Sequence, residues 1–148
     1  MSDSTVATES LVRKFITLFG SHKFLDTLPL AAPTATWRIS GIKEQNVAAG
    51  LKLFKEHIQG MLDVPKEILN WERLEIDVVD LLVDHKGEKA VLEVVAKIKD
   101  DDGVYRYTND AAFIFEVKEG KIQSIREYMD FAPVAKYITE KREREGIE

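Results

Sequence analysis

Two polar side chains interrupt the apolar face of a predicted β-hairpin, and their types suit acid–base chemistry. Residues 103–131 predict two long strands joined by a tight turn, in which successive side chains point to opposite faces. The odd-numbered positions of the first strand are the more apolar, so this face is expected to point inward, with Asn109 and Glu127 on it. A carboxyl group among apolar neighbours can act as a general acid or base, and an amide can orient a substrate oxygen.

The turn between these strands predicts their register. The sequence Lys118-Glu119-Gly120 suits a three-residue loop whose last residue has a positive φ, which glycine adopts without strain. With this loop, Asn109 and Glu127 become diagonal neighbours whose Cα atoms lie about 7–8 Å apart. The predicted pairs are Phe113 with Ile125, Ala111 with Glu127, and Asn109 with Met129.

The preceding strand, residues 89–99, predicts open space beside the two polar groups. The turn at Asp102-Gly103 places Ala96 opposite Asn109, and Val94 opposite Ala111. Small side chains there leave room, and a carboxylate and an amide facing room on an apolar face are typical of a small-molecule pocket. The residues expected to line this pocket are Tyr107, Trp37, Phe113, Met129, Ala96, Ala111 and His57.

Several of these residues also have a purely structural interpretation. Glu127 is either a functional group or a core carboxylate that water or a buried side chain satisfies. Trp37 is either core or pocket wall, and His57, at the edge of a helical apolar stripe, is either a surface residue or an acid–base group. Asp80 has the parity of the apolar face of its strand, although a β-bulge there would turn it outward.

Composition excludes several classes of function. The net charge of −5 argues against nucleic-acid binding, and the absence of cysteine excludes disulfides and thiolate chemistry. The three histidines, His22, His57 and His85, lack metal-ligand spacing, so neither a metal nor a cofactor is expected. No apolar run approaches a membrane span and the N-terminus lacks a signal-peptide core, which predicts a cytoplasmic location.

The order of predicted elements indicates an α+β fold. The length of 148 residues predicts one domain, with a flexible tail at 1–5 and a charged end at 140–148. Long strands that follow early helices predict a curved, mostly antiparallel sheet wrapped around those helices. The predicted helices span 6–19, 22–28, 45–62 and 133–143, and the predicted strands span 34–39, 71–84, 89–99 and the hairpin 103–131.

The C-terminal third resembles a known superfamily. The sequence GKIQSIREYMDFAPVAKYI at 120–138 resembles the final strand of nuclear-transport-factor-like proteins, especially their SnoaL-like and ketosteroid-isomerase-like members. The matching motifs are Gly120-Lys121-Ile122, Arg126-Glu127-Tyr128 and Asp130. TATWRISG at 34–41 and YRYTNDAAFIFEV at 105–117 resemble the early and penultimate strands. The resemblance implies a cone-shaped α+β barrel with a deep internal pocket.

The resemblance leaves several functions open, because this fold includes isomerases, polyketide cyclases, dehydratases, epoxide hydrolases and non-catalytic binders. Glu127 matches an acidic residue of the epoxide hydrolases, but the segment 92–98 lacks the arginine and aspartate that complete their site. We therefore favour an isomerase, cyclase or lyase that acts on a hydrophobic carbonyl or polyketide-like substrate, with Tyr107 as a possible oxyanion donor. The alternatives are a binder of an apolar molecule and a scaffold with a packed cone.

Apolar residues on the opposite face of the sheet predict a homodimer, which the resemblance also implies. The residues expected to form its interface are Val91, Val95, Ile114 and Tyr128.

Overall fold

The computed structural model describes residues 2–147. Met1 and Glu148, which belong to the predicted tail and the predicted charged end, lie outside this range. The helices are α1 (Asp3–Gly20), α2 (Phe54–Asp63) and α3 (Phe131–Glu145), with short 3-10 helices at Leu25–Leu30 and Trp71–Arg73. The strands are β1 (Ala31–Ile39), β2 (Gly50–Leu53), β3 (Leu74–Val83), β4 (Lys89–Lys99), β5 (Tyr105–Lys118) and β6 (Lys121–Met129).

The strands form one curved six-stranded sheet in the order β2-β1-β6-β5-β4-β3. Every neighbouring pair is antiparallel except β1 and β6, which run parallel. The helices α1 and α2 pack against the concave face, which confirms the predicted α+β class. No helix among residues 2–147 has the length and apolarity needed to cross a membrane.

Aromatic side chains fill part of the space between the helices and the sheet. Phe15 on α1 is fully buried, and its ring lies at the centre of this cluster. Burial of each such side chain contributes roughly 2–3 kcal/mol to folding, which makes this cluster a main source of stability. The rings around Phe15 belong to Phe19, Trp37, Phe54 and Phe115, at centroid distances of 5.5, 5.9, 6.2 and 5.4 Å.

The predicted helix 45–62 is wrong in its first half. Gly50 has a φ of 118°, which a right-handed helix cannot accommodate, and Gly50–Leu53 instead pair with β1 as strand β2. Asn46 stabilises the preceding turn, because its Nδ2 donates to the Ser40 carbonyl and its Oδ1 accepts from the Ala48 amide. Val47 is 84% exposed, so it does not belong to the predicted apolar stripe.

The hairpin between β5 and β6 has a different register from the predicted one. Its turn contains two residues, Glu119 and Gly120, with φ angles of 53° and 73°, as a type I′ turn requires. A bulge at Gln123 then shifts the pairing again, so that Phe113 lies opposite Glu127. Each predicted pair is wrong by two residues. Because side chains alternate with a period of two residues, the same residues still face inward. The predicted pairing of β4 with β5 is confirmed.

The structure also answers three predictions about the orientation of Asp80, the start of the first helix and the C-terminal helix. Asp80 points outward, because Val79 forms a bulge in β3 and Asp80 pairs with Glu93 on the convex face. The helix α1 begins at Asp3 with Ser2 as its N-cap, so residues 3–5 are helical and not a tail. The C-terminal helix is confirmed, with the predicted cap at Asp130, whose side chain accepts from the Ala132 amide.

Candidate functional site

Glu127 lies on the inward face of β6, as its parity predicts. The parallel pairing of β1 with β6 places it beside Ile39, and the antiparallel pairing with β5 places it opposite Phe113. The Trp37 indole Nε1 donates a hydrogen bond of 3.0 Å to Glu127 Oε1. The carboxyl group is therefore held in one orientation by a buried side chain from the neighbouring strand.

The second oxygen of Glu127 is open. Oε2 has no protein hydrogen-bond partner in the described part of the chain, and it is not among the side-chain atoms sealed from solvent there. The residue keeps some accessible surface although protein atoms surround its carboxyl group, so it lies at the edge of the packed core. One oxygen is thus positioned and the other is available to a ligand.

Burial raises the pKa of Glu127 to about 7, and the hydrogen bond from Trp37 opposes this rise. The carboxyl group is therefore close to half protonated at neutral pH. A group with a pKa near the working pH can both accept and donate a proton efficiently, which is the property required of a general acid or base.

His57 on α2 lies against the same tryptophan. Its ring stacks on that of Trp37 at a centroid distance of 4.1 Å and an interplanar angle of 22°. Burial, and secondarily the charge of Lys52, lowers the pKa of His57 to about 4. The imidazole is therefore neutral at physiological pH. His57 is half-buried and lies against Trp37, and its role as a pocket residue stays a prediction.

The Asn109 amide is committed to protein partners. Its Nδ2 donates to the Tyr107 hydroxyl oxygen at 3.1 Å and to the Asp130 carbonyl at 2.7 Å. Both amide protons are thus used, and only the acceptor Oδ1 remains for another group. Because the Tyr107 oxygen accepts from Asn109, its own proton is free to be donated elsewhere.

Tyr107 and Glu127 lie on the inward face of the neighbouring strands β5 and β6. Burial raises the pKa of Tyr107, the bond from Asn109 lowers it, and the negative charge of Glu127 raises it again. By contrast, the predicted diagonal contact between Asn109 and Glu127 is wrong. Glu127 lies opposite Phe113, which is separated from Asn109 by about 13 Å of strand at 3.3 Å per residue.

The remaining predicted pocket residues divide into two groups. Ala96 and Ala111, opposite Asn109 and Met129 respectively, face inward yet stay partly accessible. Helical side chains therefore do not cover this part of the sheet completely. Two others are almost sealed: Trp37 is 1% exposed and Phe113 is 4% exposed, which leaves them little surface for direct contact with a ligand.

Sequence reasoning missed the contribution of α3. The Tyr107 ring packs edge-on against Tyr137 of α3 at 5.8 Å, and Asn109 bonds the carbonyl that precedes this helix. The Tyr137 hydroxyl donates to Asp100 Oδ1 at 2.6 Å. No local pattern predicts these contacts, although the aromatic Tyr137 inside a charged helix is the kind of residue that marks a packed face.

Two cavities lie elsewhere, and Glu127 lines neither of them. One of about 440 Å³ lies between α3, the 3-10 helix at Trp71–Arg73 and the β4–β5 turn. The other, of about 820 Å³, is an open groove between the start of β1, the start of α2 and the β5–β6 turn. Within residues 2–147, no group of three or more histidine, aspartate or glutamate side chains is arranged to hold a metal ion.

Comparison with known proteins agrees with this architecture. No curated protein matches the chain by sequence. Among solved structures, TerC co-crystallised with polyporic acid is 14% identical, with a TM-score of 0.73 over 90% of this chain and 98% of its own. An NTF2-like protein of unknown function from Burkholderia pseudomallei K96243 is 18% identical, with a TM-score of 0.73 over 94% and 99%.

A putative ketosteroid isomerase from Kribbella flavida DSM 17836 is 16% identical, with a TM-score of 0.65 over 85% of this chain and 79% of its own. These structures share the NTF2-like fold with the chain. The sequence profile of the SnoaL-like domain matches residues 12–125, which is more than half of the chain. The chain therefore belongs to the SnoaL-like domain family.

Proposed function

We propose that this protein is a cofactor-independent isomerase, cyclase or lyase that acts on a hydrophobic carbonyl compound bound against the concave face. The observation that carries the proposal is Glu127 itself: a carboxyl group with a pKa of about 7, one oxygen held by Trp37, and the other oxygen open. Solved proteins of this fold, among them the putative ketosteroid isomerase and a putative polyketide cyclase, support the class of reaction.

In this proposal Glu127 is the general base. Its carboxylate removes a proton from the carbon next to the substrate carbonyl, and the electron pair moves onto the carbonyl oxygen to give an enolate. Tyr107 is the group able to donate a hydrogen bond to that oxygen, because its proton is free and its own oxygen accepts from Asn109. Where a carbon–carbon double bond adjoins the deprotonated carbon, protonated Glu127 then returns the proton at the far end of that double bond, which shifts the double bond and completes an isomerisation without any cofactor.

A specific observation favours a second candidate, a non-catalytic binder. The Trp37 bond gives Glu127 a structural partner, and the Asn109 amide is used within the protein. The same concave face would then hold an apolar molecule without reaction. The co-crystal of TerC with polyporic acid supports small-molecule binding by this fold.

Deuterium exchange separates the two candidates without knowledge of the natural substrate. The protein is incubated in D₂O with a panel of cyclic enones, ketones and lactones, and loss of the proton signal next to the carbonyl is followed by NMR. A general base accelerates such exchange by about 10²–10⁴-fold. We expect Glu127→Gln to lose this acceleration while keeping its fold. The rate should fall as the pH drops below about 7, because only the carboxylate accepts a proton.

Glu93→Gln is the matched control, because Glu93 is an exposed carboxylate on the convex face of β4. It should exchange substrate protons at the wild-type rate. If Glu127→Gln retains the full rate, Glu127 is not the base. If compounds of the panel stabilise the wild type and Glu127→Gln equally and no exchange occurs in either, the binder is the correct interpretation.

A further inference from the structure

Lys141 of α3 is a buried cation with little around it to neutralise its charge. The residue is 8% exposed, and its Nζ makes one hydrogen bond, of 3.3 Å, to the Lys66 carbonyl. Among residues 2–147, no carboxylate oxygen lies within 4.0 Å of this nitrogen. An ammonium group carries three N–H donors, so two remain unused, and a buried charge is unfavourable without a counter-charge.

The cavity of about 440 Å³ described above opens directly beside Lys141. This volume lies within the range of small-molecule sites. The other charged group deep in its wall is Asp100, whose side chain is 13% exposed. Asp100 accepts from the Tyr137 hydroxyl at 2.6 Å, from Arg106 at 2.9 Å and from Arg144 at 3.2 Å. Its charge is therefore shared by two guanidinium groups, and neither of its oxygens lies within 4.0 Å of the Lys141 Nζ.

The remaining acidic residues lie at the rim of the cavity. Asp101 and Asp102 are paired with Arg73 and Arg106 respectively, and Glu67 and Glu145 are exposed. Lys66, Arg73, Arg106 and Arg144 of this wall each pair with a carboxylate, so Lys141 is its basic residue without such a partner among residues 2–147. An anion small enough to enter the cavity can supply the missing counter-charge.

We propose that this cavity is a binding site for a small oxyanion, a carboxylate or a phosphate, held by the Lys141 ammonium group. The site does not depend on the proposed reaction, because neither Glu127 nor Tyr107 lines this cavity. Lys141 belongs to α3, whereas Lys66 and Arg73 belong to the body of the protein, so a bound anion joins the two.

Thermal unfolding of the full chain tests this site. Succinate and inorganic phosphate are titrated separately, with sodium chloride keeping the ionic strength constant. We expect a saturable rise in Tm for the wild type, since a ligand at ten times its dissociation constant lowers the unfolding equilibrium constant about tenfold. A response to succinate alone identifies a carboxylate site, and a response to phosphate alone identifies a phosphate site.

Lys141→Met, which keeps an unbranched apolar stem and removes the charged end, should abolish the response. Lys136→Met is the matched control on the same helix, because the Lys136 side chain is 75% exposed and lies outside the cavity. It should respond like the wild type. An absence of any response in the wild type, or an equal response in Lys141→Met, overturns the proposal.

A measurement on the wild type covers the case in which Lys141→Met does not fold. Amide chemical shifts are followed by ¹H–¹⁵N NMR during the same titrations. We expect saturable changes at Tyr137, Lys141 and Arg144 of α3 and at Arg73 across the cavity. Changes that are confined to other parts of the protein, or that do not saturate, contradict the assignment.

Discussion

The Trp37 indole connects two ionisable groups whose pKa values move in opposite directions. Its Nε1 donates to Glu127, and its ring face stacks on His57. Burial disfavours the charged form of both groups, so it raises the pKa of the acid to about 7 and lowers that of the imidazole to about 4. The concave face therefore carries less charge at neutral pH than its residue types suggest, which suits an apolar ligand.

These two shifts predict opposing effects of pH on stability. The contribution of Glu127 to the free energy of unfolding is present below its ordinary pKa of 4.5 and is lost as the pH rises toward 7. The contribution of His57 is present above its ordinary pKa of 6.5 and is lost as the pH falls toward 4. Glu127→Gln removes only the first effect. Relative to the wild type, the variant should gain on the order of 2 kcal/mol in unfolding free energy between pH 4.5 and 7.5, after allowance for the accessible part of Glu127.

Urea denaturation at the two pH values measures this difference. Glu93→Gln, with its exposed carboxylate, should differ from the wild type by the same amount at both. If the difference between Glu127→Gln and the wild type is also independent of pH, the carboxyl group is not desolvated as the structure indicates.

Alternation along the strands predicted which face of the sheet each residue lies on, but not which residues it contacts. Alternation along each strand placed Trp37, Asn109 and Glu127 correctly on the inward face, because burial of one sheet face determines it. The bond between Trp37 and Glu127 depends on the parallel pairing of β1 with β6. These strands are distant in sequence and no turn joins them, so local reasoning has no means of predicting their pairing.

At the scale of elements, α3 is attached to the sheet by polar contacts at both ends. Asn109 bonds the Asp130 carbonyl just before the helix, and Tyr137 and Arg144 reach Asp100 next to the β4–β5 turn. Asp100 also accepts from Arg106 of β5, which makes it the point where helix and sheet are joined. The position of α3 determines that of the Tyr137 ring, against which Tyr107 packs.

Asp100→Asn should loosen this helix. The substitution keeps the shape of the side chain but removes the charge shared by Arg106 and Arg144, and hydrogen bonds to charged groups contribute about 1.5–3 kcal/mol. Amides of α3 should therefore exchange with deuterium at least about tenfold faster, as measured by mass spectrometry, while those of β4 away from the turn keep their rates.

The matched control for this experiment is Asp101→Asn. Asp101 is paired with Arg73, but its side chain is 88% exposed, and exposed ion pairs contribute about 0–1 kcal/mol. We expect the α3 amides of Asp101→Asn to exchange with deuterium at nearly the wild-type rate. Equal exchange in Asp100→Asn and in the wild type would mean that the apolar contacts of Tyr137 alone hold the helix.

The elements predicted best from sequence were those with unambiguous alternation. The register of β4 with β5 from Ile98 and Tyr107 onward was predicted correctly because two consistent apolar faces determine it. The predicted two-residue turn was wrong: residues 101–103 form the loop, and a bulge at Arg106 restores the predicted pairs. The prediction of the register of β5 with β6 failed by one residue at the turn, which has two residues instead of three, and by one more at Gln123, since nothing in the composition of the strand marks the bulge. The prediction of a helix over 45–62 was wrong because the helical spacing of apolar residues was given more weight than Gly50. This glycine has a positive φ and is the first residue of β2.

At the scale of the whole molecule, the convex face of the sheet carries a row of apolar side chains. Leu82, Val91 and Ile114 lie opposite one another on β3, β4 and β5. On β6, Arg126 lies opposite Ile114 and Tyr128 lies two residues further along, while Val95, the fourth residue of the predicted interface, lies between Asp77 and Asp110. Leu82 is 62% exposed, Tyr128 42% and Val91 39%. Contiguous exposed apolar surface is typical of interaction sites, so this row supports the expected homodimer.

A charge at the centre of this row should prevent dimerisation. Val91→Glu places a carboxylate between Leu82 and Ile114, where a dimer would bury it without a partner, at a cost of about 3 kcal/mol or more. The dimer dissociation constant should therefore rise by at least about 100-fold, measured by sedimentation equilibrium. Leu51→Glu is the control, since Leu51 is 67% exposed but lies on β2 at the other end of the sheet. A wild type that sediments as a monomer excludes the dimer, and equal weakening by both substitutions excludes this row as its interface.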